Sequence, residues 1–269
     1  MISSLLPLLS VGVLCLMSSV SAQSSPTCPS YDPAKIKLVT FDCFAAMMAW
    51  EESMFANVAR ILPALSSSQV DSLVRQWENA YGSASGTVFE ERVTGAFPFS
   101  WHVSTELDKI LADMKISVTR SEFSELVQAW GDLTPWKNTQ STLEAILAAN
   151  ITVGVLSNGD RFTLERAVSI FTTVPFAHVF PTDFPVGAFK PVHYIYDQAK
   201  EVGYAVEEVL HVAGGATDAS GARDAGLFSV LTHSVSGKRS AVFHDEFVSG
   251  TPACFDVGDI SEVLGVLGL

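Results

Sequence analysis

The sequence predicts an α/β protein with a doubly wound parallel sheet, interrupted near its start by a block of helices. After residue 132, short β-prone segments alternate with segments of helical periodicity, as in parallel strands joined by crossover helices. Between residues 50 and 131 the periodicity is helical, with almost no strand signal. We therefore expect a Rossmann-like sheet core of residues 23–49 and 132–269, with an all-helical insertion at residues 50–131.

The first 22 residues have the composition of a secretory signal peptide. They are almost uncharged, with an apolar centre from Leu5 to Met17 and a small-residue cleavage pattern ending at Ala22, although no Lys or Arg precedes the apolar centre. A membrane anchor is the alternative, but the apolar centre is short and no polar stop-transfer flank follows it. We expect a signal peptide at residues 1–22, a secreted protein and no membrane partner.

The cysteines and one sequon fit an extracellular protein. An oxidising compartment favours disulfides, and the mature chain would keep Cys28, Cys43 and Cys254. Because Cys28 lies in the polar N-terminal tail and Cys254 near the C-terminus, we expect these two to pair and Cys43 to remain a buried thiol. The cysteine spacing does not fit a zinc site. A glycosylation sequon begins at Asn150, at a predicted join between a helix and a strand.

The formal net charge of -13 limits the classes of partner. It argues against nucleic acid and anionic membranes, and it requires that an anionic substrate be captured by a local cation. Solubility of a secreted protein is the commoner explanation of such a charge. We expect a small-molecule substrate, and a homodimer stays open.

The first strand, at residues 36–42, is the element around which the core is organised. Its β-prone apolar run ends in the carboxylate of Asp42. Ligands of open α/β sheets bind beyond the carboxyl ends of the strands, so Asp42 lies where a nucleophile would be displayed. Capping of the next helix is its alternative role.

The elements that follow are four helices in the insertion and then alternating strands and helices. Thr119 and Glu122 have capping-box spacing, and so do Ser141 and Glu144. The predicted insertion helices cover residues 51–62, 68–81, 105–114 and 119–130, with an aromatic stretch containing Phe89, Phe97, Phe99 and Trp101 between the second and third. The later strands cover residues 151–156, 177–180, 209–213 and 228–231, and the later helices residues 141–149, 162–171, 191–202 and 219–225.

Polar residues follow three of these strands, and their order resembles the four motifs of the haloacid dehalogenase superfamily. The motifs are Phe41-Asp42, Leu156-Ser157-Asn158-Gly159, Lys190-Pro191 and Asp218 with Gly221-Ala222-Arg223. The helical block is similar in position to that family's helical cap, and the 2-haloacid dehalogenase type is the most similar within the superfamily. The resemblance runs from about residue 37 to residue 231 and implies a Rossmann-like core with a cap.

The resemblance implies catalytic roles for three residues. Asp42 would attack the substrate carbon and form an aspartyl ester. Lys190 would hold that carboxylate ionised, and Asp218 would orient Lys190 or the hydrolytic water.

The resemblance also implies substrate-binding residues. Ser157 and Asn158 would hydrogen-bond the substrate carboxylate, and Arg75 on a cap helix would grip the leaving halide or the substrate. Tyr196 matches a family tyrosine, and the aromatic Phe44 fits the dehalogenase type. Three further aromatic residues could line an apolar pocket, although core packing is the commoner role for each: Trp50, Phe89 and Trp101.

Several positions depart from the superfamily's usual residues. Phosphatases of the superfamily bind Mg²⁺ with acids where this chain has Phe44 and Gly214, so we expect neither a metal nor another cofactor. The dehalogenase type has polar residues where this chain has Ala46, Ala213 and Gly215, and loss of one positioned donor typically costs about 10²- to 10³-fold in rate. None of the six histidines has metal-like spacing, and none is assigned a role.

The combined prediction is a secreted, metal-independent hydrolase of the 2-haloacid dehalogenase type that acts on a small 2-substituted carboxylic acid. The altered positions keep two alternatives open. One is a non-hydrolytic reaction on a natural product, such as a cyclisation, dehydration or isomerisation, with Asp42 as acid or base. The other is a pseudoenzyme that binds a ligand under its cap.

Overall fold

The computed structural model describes residue 28, residues 30–233 and residues 253–269. The predicted signal peptide lies outside the described residues. Among the residues described, no helix combines the length and the apolar character needed to cross a bilayer.

A six-stranded parallel sheet forms the centre of the molecule, in the order β3-β2-β1-β4-β5-β6. Strands β1, β4 and β5 are buried along their whole length, as expected for a parallel sheet covered by helices on both faces. The predicted α/β class with a parallel, Rossmann-like sheet is confirmed. The strands are β1 (Leu38–Phe41), β2 (Thr152–Leu156), β3 (His178–Phe180), β4 (Val209–Ala213), β5 (Phe228–Thr232) and β6 (Phe255–Val257).

Helices of the insertion separate β1 from β2, and the other helices connect the strands. Within residues 50–131, β pairing is limited to an isolated bridge at Val88. The insertion helices are α1 (Trp50–Ile61), α2 (Ser67–Ser83), α3 (Glu91–Thr94), α4 (Pro98–Asp113) and α5 (Arg120–Gln128). The later helices are α6 (Thr139–Ala148), α7 (Arg161–Val168), α8 (Gln198–Glu201), α9 (Ala216–Asp224) and α10 (Val263–Val266).

The structure confirms one predicted helix start and corrects two others. The capping box of Thr119 and Glu122 is present at the start of α5. Helix α4 begins at Pro98 rather than at residue 105, because proline is favoured in the first turn of a helix and the aromatic residues that follow can pack inward. The predicted cap at Ser141 is wrong, because α6 begins at Thr139, whose buried hydroxyl donates to the Met47 carbonyl oxygen at 3.0 Å.

Two other differences concern short elements. The predicted helix at residues 191–202 divides into a 3₁₀ turn, His193–Ile195, and the four-residue α8. Strand β6 was not predicted, because a three-residue strand is too short to show a period of two.

Aromatic side chains join the insertion to the core. Trp130 is fully buried, and its ring lies 5.5 Å from that of Phe44 and 5.4 Å from that of Phe99, between ring centroids. The same cluster includes Trp77 of α2, whose indole N–H donates to the Val103 carbonyl oxygen at 2.8 Å. The insertion therefore covers the sheet edge through a shared apolar interface, and we call it the cap.

The predicted disulfide is present. Cys28 and Cys254 are bonded with their Cα atoms 5.6 Å apart, which ties the N-terminal segment to the residue preceding β6. Cys43 is a buried free thiol, also as predicted. Burial and the adjacent Asp42 carboxylate raise the pKa of Cys43 well above its ordinary value, which makes it a poor nucleophile.

Candidate active site

Asp42 lies directly beyond β1, at the carboxyl edge of the sheet. Its backbone N–H donates to the Val212 carbonyl oxygen at 2.8 Å, which holds the ends of β1 and β4 together. Its Oδ2 accepts a hydrogen bond from the Ala45 N–H at 2.9 Å and caps a short π-helix, Cys43–Met47. Asp42 therefore has the capping role considered above and is also displayed to a crevice.

Three more elements bring polar side chains to Asp42. Ser157, which follows β2, donates its hydroxyl to Asp42 Oδ1 at 3.0 Å. The Lys190 ammonium lies 3.2 Å from the same oxygen and 2.8 Å from Asp218 Oδ2. Lys190 is 5% exposed, so this cation is buried between two carboxylates. The convergence predicted from the strand ends is present, because β1 lies between β2 and β4.

Asp218, in the first turn of α9, anchors the lysine. Tyr196 donates its hydroxyl to Asp218 Oδ1 at 2.9 Å, and His211 Nε2 lies 3.1 Å from Oδ2. Burial alone would raise the pKa of Asp218, but Lys190 and His211 outweigh it and hold that pKa below its ordinary value. Asp218 is therefore a weak base and a firm anion, which suits it to orient Lys190 rather than to deprotonate water.

Asn158 connects the lysine segment to the cap. Its Oδ1 accepts a hydrogen bond from the Lys190 backbone N–H at 2.8 Å, so its amide N–H groups face the other way. On that side Asn158 hydrogen-bonds Tyr81 of α2. Burial, with Asp42 nearby, raises the pKa of Tyr81, so its hydroxyl stays protonated.

The crevice between cap and core has a volume of about 110 Å³. Asp42, Asn158, Lys190 and Asp218 line its core side, and Tyr81, Gly82 and Ser85 line its cap side. Tyr81 was not predicted from the sequence, because an aromatic residue at the end of a helix's apolar face looks like a core residue. His211 was not predicted either, because its only signal is an isolated polar residue in an apolar strand.

Of the predicted substrate-binding residues, Asn158 lines this crevice. The structure does not bring the other four to its lining, and Ser157 and Tyr196 are fully buried: Ser157, Tyr196, Arg75 and Phe44. Arg75 pairs with Asp71 at 3.2 Å and with Glu51 at 3.4 Å, and its guanidinium lies 5.7 Å from the Phe55 ring centroid. Phe44 is buried under the cap in the aromatic cluster.

The three further aromatic residues also lie elsewhere. Trp50 packs on Trp130 with 4.8 Å between ring centroids, and Phe89 packs on Phe189 at 4.7 Å. Trp101 lines a separate open groove between α4 and α5. Core packing therefore accounts for Trp50 and Phe89.

The residues near Asp42 offer a poor ligand set for a metal ion. A Cβ atom on Gly214 would lie 2.4 Å from the carbonyl carbon of Ala45, so an acidic side chain has no room at that position. Within the part of the chain that the structure describes, no three His, Cys, Asp or Glu side chains are grouped to hold a metal.

The α/β fold with its six-stranded parallel sheet matches that of solved haloacid dehalogenase structures. Among solved structures, L-2-haloacid dehalogenase from Xanthobacter autotrophicus aligns with a TM-score of 0.71 at 19% identity, over 87% of this chain and 98% of that one. A defluorinating L-2-haloacid dehalogenase, Rha0230, aligns with a TM-score of 0.72 at 21% identity, over 90% of this chain and all of that one.

Sequence comparison points to the same type. The (S)-2-haloacid dehalogenase of Pseudomonas fluorescens is 31% identical over 114 residues, which cover 42% of this chain and 50% of that protein. The (S)-2-haloacid dehalogenase H-109 of Pseudomonas putida is 27% identical over 151 residues, 55% of this chain and 65% of that protein. The chain thus spans about half to two thirds of these relatives. No protein-family model matches it.

Proposed function

We propose that this protein is a hydrolase of the 2-haloacid dehalogenase type, acting on the carbon–halogen bond of a small 2-haloacid. The observation that carries the proposal is the ammonium of Lys190, buried within hydrogen-bonding distance of both Asp42 and Asp218. That arrangement places a buried ammonium directly against a carboxylate that lines the crevice, which suits Asp42 to act as an aspartyl nucleophile.

The proposed reaction has two steps. In the first, a carboxylate oxygen of Asp42 attacks C2 of the substrate, the carbon–halogen bond breaks, and the halide leaves with the bonding electron pair. In the second, water attacks the carbonyl carbon of the resulting ester, one of its protons passes to the departing alkoxide oxygen, and the other is released to solvent. The 2-hydroxy acid departs, and Asp42 re-forms with one oxygen from water. Ser157 and Lys190, which both contact Oδ1, orient the Asp42 side chain, as the carboxylate in the first step and as the ester in the second.

The size of the crevice supports a small substrate. Its volume is about 110 Å³, which leaves room for several water molecules. A short carboxylic acid fits such a space.

Metal independence is part of the proposal. The Lys190 ammonium supplies the positive charge between the two carboxylates that a metal ion would otherwise provide. Gly214 has no room for an acidic side chain, and Phe44 is apolar, so two oxygen ligands that Mg²⁺ would need are absent. We expect activity to be unchanged by chelators of divalent cations.

Secretion and glycosylation are also proposals. The disulfide between Cys28 and Cys254 supports an oxidising compartment, where such bonds persist. Asn150 is exposed, which supports use of its sequon. A homodimer stays a prediction.

A stalled or non-hydrolytic enzyme is the second candidate. Ala46, Ala213 and Gly215 provide no side-chain donors near Asp42, so a water attacking the ester has fewer groups to position it. If hydrolysis fails for this reason, Asp42 would be alkylated once and the ester would persist.

Halide release from 2-chloropropionate tests the proposal. We expect the wild-type protein to release chloride and Asp42→Asn to lose more than about 10³-fold in rate, because its nucleophile is absent. Asp71→Asn, an equivalent change at an exposed position on α2, is the matched control and should keep the wild-type rate. Equal rates for the wild type and Asp42→Asn would contradict the proposal, and a single equivalent of chloride would favour the stalled enzyme.

A further inference from the structure

Two polar side chains lie side by side inside the sheet, beneath the proposed active site. Thr40 of β1 and His211 of β4 are register partners, and both are fully buried. Buried polar groups in a sheet core are costly unless they are hydrogen-bonded, so each of these side chains needs a partner.

Thr40 and His211 form a hydrogen-bonded chain that ends at Asp218. Thr40 Oγ1 lies 2.9 Å from His211 Nδ1, and His211 Nε2 lies 3.1 and 3.2 Å from the two oxygens of Asp218. An ionised carboxylate can only accept hydrogen bonds, so Nε2 of His211 carries a proton and donates a hydrogen bond to Asp218. In the neutral ring the Thr40 hydroxyl then donates to Nδ1, which fixes the tautomer.

This row of hydrogen bonds adds a third side chain to those that contact the Asp218 carboxylate. Tyr196 donates to Asp218 Oδ1, Lys190 donates to Oδ2, and His211 Nε2 lies within hydrogen-bonding distance of both oxygens. Side chains at His211 and Ala213 leave the same face of β4, two positions apart, and Ala213 has no polar group to offer.

We propose that His211, oriented by Thr40, is a positioning residue that holds Asp218 and, through it, the Lys190 ammonium against Asp42. This role substitutes for the donors that Ala213 and Gly215 lack. Its kinetic consequence rests on the proposed dehalogenase reaction, but its structural consequence does not.

The surroundings of His211 leave Asp218 as its charged partner among the described contacts. The Tyr196 ring lies edge-on at 5.8 Å between ring centroids. Ser229, the register partner on β5, accepts a hydrogen bond from the Cys254 N–H at 3.2 Å. No other charged group is within ion-pair distance of the imidazole in the described part of the chain.

The first test needs no substrate. Nitrogen-15 correlation spectra of lysine ammonium groups should show a slowly exchanging signal that Lys190→Met removes. We expect this signal to broaden or shift in His211→Phe and in Thr40→Val, and to return in Thr40→Ser, which restores the hydroxyl. His178→Phe, the same change at a histidine on the edge strand β3, is the control and should leave the signal in place. An unchanged signal in folded His211→Phe and Thr40→Val would overturn the proposal, whatever the protein's activity.

The second test is kinetic. With 2-chloropropionate, we expect His211→Phe to lower kcat about 10- to 100-fold, as for loss of a hydrogen bond to a charged group, with KM within about twofold. Thr40→Val should lower kcat by less, and Thr40→Ser should recover most of that loss. Wild-type kcat in both His211→Phe and Thr40→Val would overturn the proposal. If the wild type itself releases no halide, the proposed function fails, and the ammonium signal alone decides the role of His211.

Discussion

The two sides of the crevice differ in charge and in how firmly their groups are held. On the core side, Lys190 contacts both Asp42 and Asp218 through hydrogen bonds of 3.2 Å or less. On the cap side, Tyr81 and Ser85 are uncharged. Arg75, which lies on the same cap helix as Tyr81, is paired with acidic residues outside the crevice. From this difference we expect that, in the proposed reaction, bond making depends on the core side and the cap side shapes the space for the substrate.

Removal of the Lys190 ammonium from the core side should lower the rate of halide release more than any change on the cap side. Lys190→Met leaves Asp42 and Asp218 buried without their shared counter-ion, and breaking one partner of a buried ion pair costs about 3 to 5 kcal/mol. We expect a loss of about 10³-fold or more in halide release and a lower urea midpoint. Lys200→Met, at a more exposed lysine that follows in the chain, is the control. Near-wild-type turnover would show that Asp42 does not need this cation.

The acid stability of the protein should depend on Asp218. Its pKa is depressed in the folded state, so the unfolded chain takes up a proton first as the pH falls below about 4.5. The stability that the ionised group provides is therefore present above that pH and is lost below it. In Asp218→Asn, the dependence of unfolding free energy on pH between about 4.5 and 2 should be shallower, by up to about 1.4 kcal/mol per pH unit.

Urea unfolding as a function of pH measures this difference. Asp224→Asn, on the same helix but 51% exposed, should reproduce the wild-type slope. A slope for Asp218→Asn that matches the wild type would show that Asp218 titrates normally in the folded protein.

On the cap side, Tyr81→Phe should have a smaller effect. The substitution keeps the ring in the aromatic cluster and removes a hydroxyl that contacts Asn158 at the crevice. We expect kcat/KM to fall about 3- to 10-fold, the range of one neutral hydrogen bond, with little change in Tm. Tyr194→Phe, at an exposed tyrosine, should have no effect. A fall in kcat/KM as large as that expected for Lys190→Met would show that Tyr81 takes part in the reaction itself.

Arg75→Gln should have the smallest effect. Arg75 is 42% exposed, and surface ion pairs contribute about 0.2 to 1 kcal/mol. We expect kcat and KM to stay within about twofold of the wild type. A tenfold rise in KM would show that Arg75 reaches the substrate in the working enzyme, as the family resemblance predicts.

The sequence predicts the core side of the site much better than the cap side. Asp42, Ser157 and Asp218 follow strands, and the carboxyl ends of neighbouring parallel strands meet at one edge, so their convergence follows from the order of the elements. Tyr81 lies on a helix, where an inward-facing aromatic residue at the crevice looks the same as one in the core. Arg75 has the expected position on a cap helix, but which acid it pairs with depends on tertiary packing.

His211 was missed for a different physical reason. In an apolar strand, a single histidine carries no spacing signal, and its partner Thr40 lies 171 residues away in the chain. Only the register between β1 and β4 brings the two side chains together.

A single-turnover reaction in H₂¹⁸O, with enzyme in excess over 2-chloropropionate, tests the aspartyl ester most directly. Because water attacks the ester carbonyl, we predict that the heavy oxygen appears in the peptide that carries Asp42 and that the 2-hydroxy acid keeps an unlabelled hydroxyl. Label in the hydroxyl of the product, with none in that peptide, would contradict the account, because water would then have displaced the halide directly.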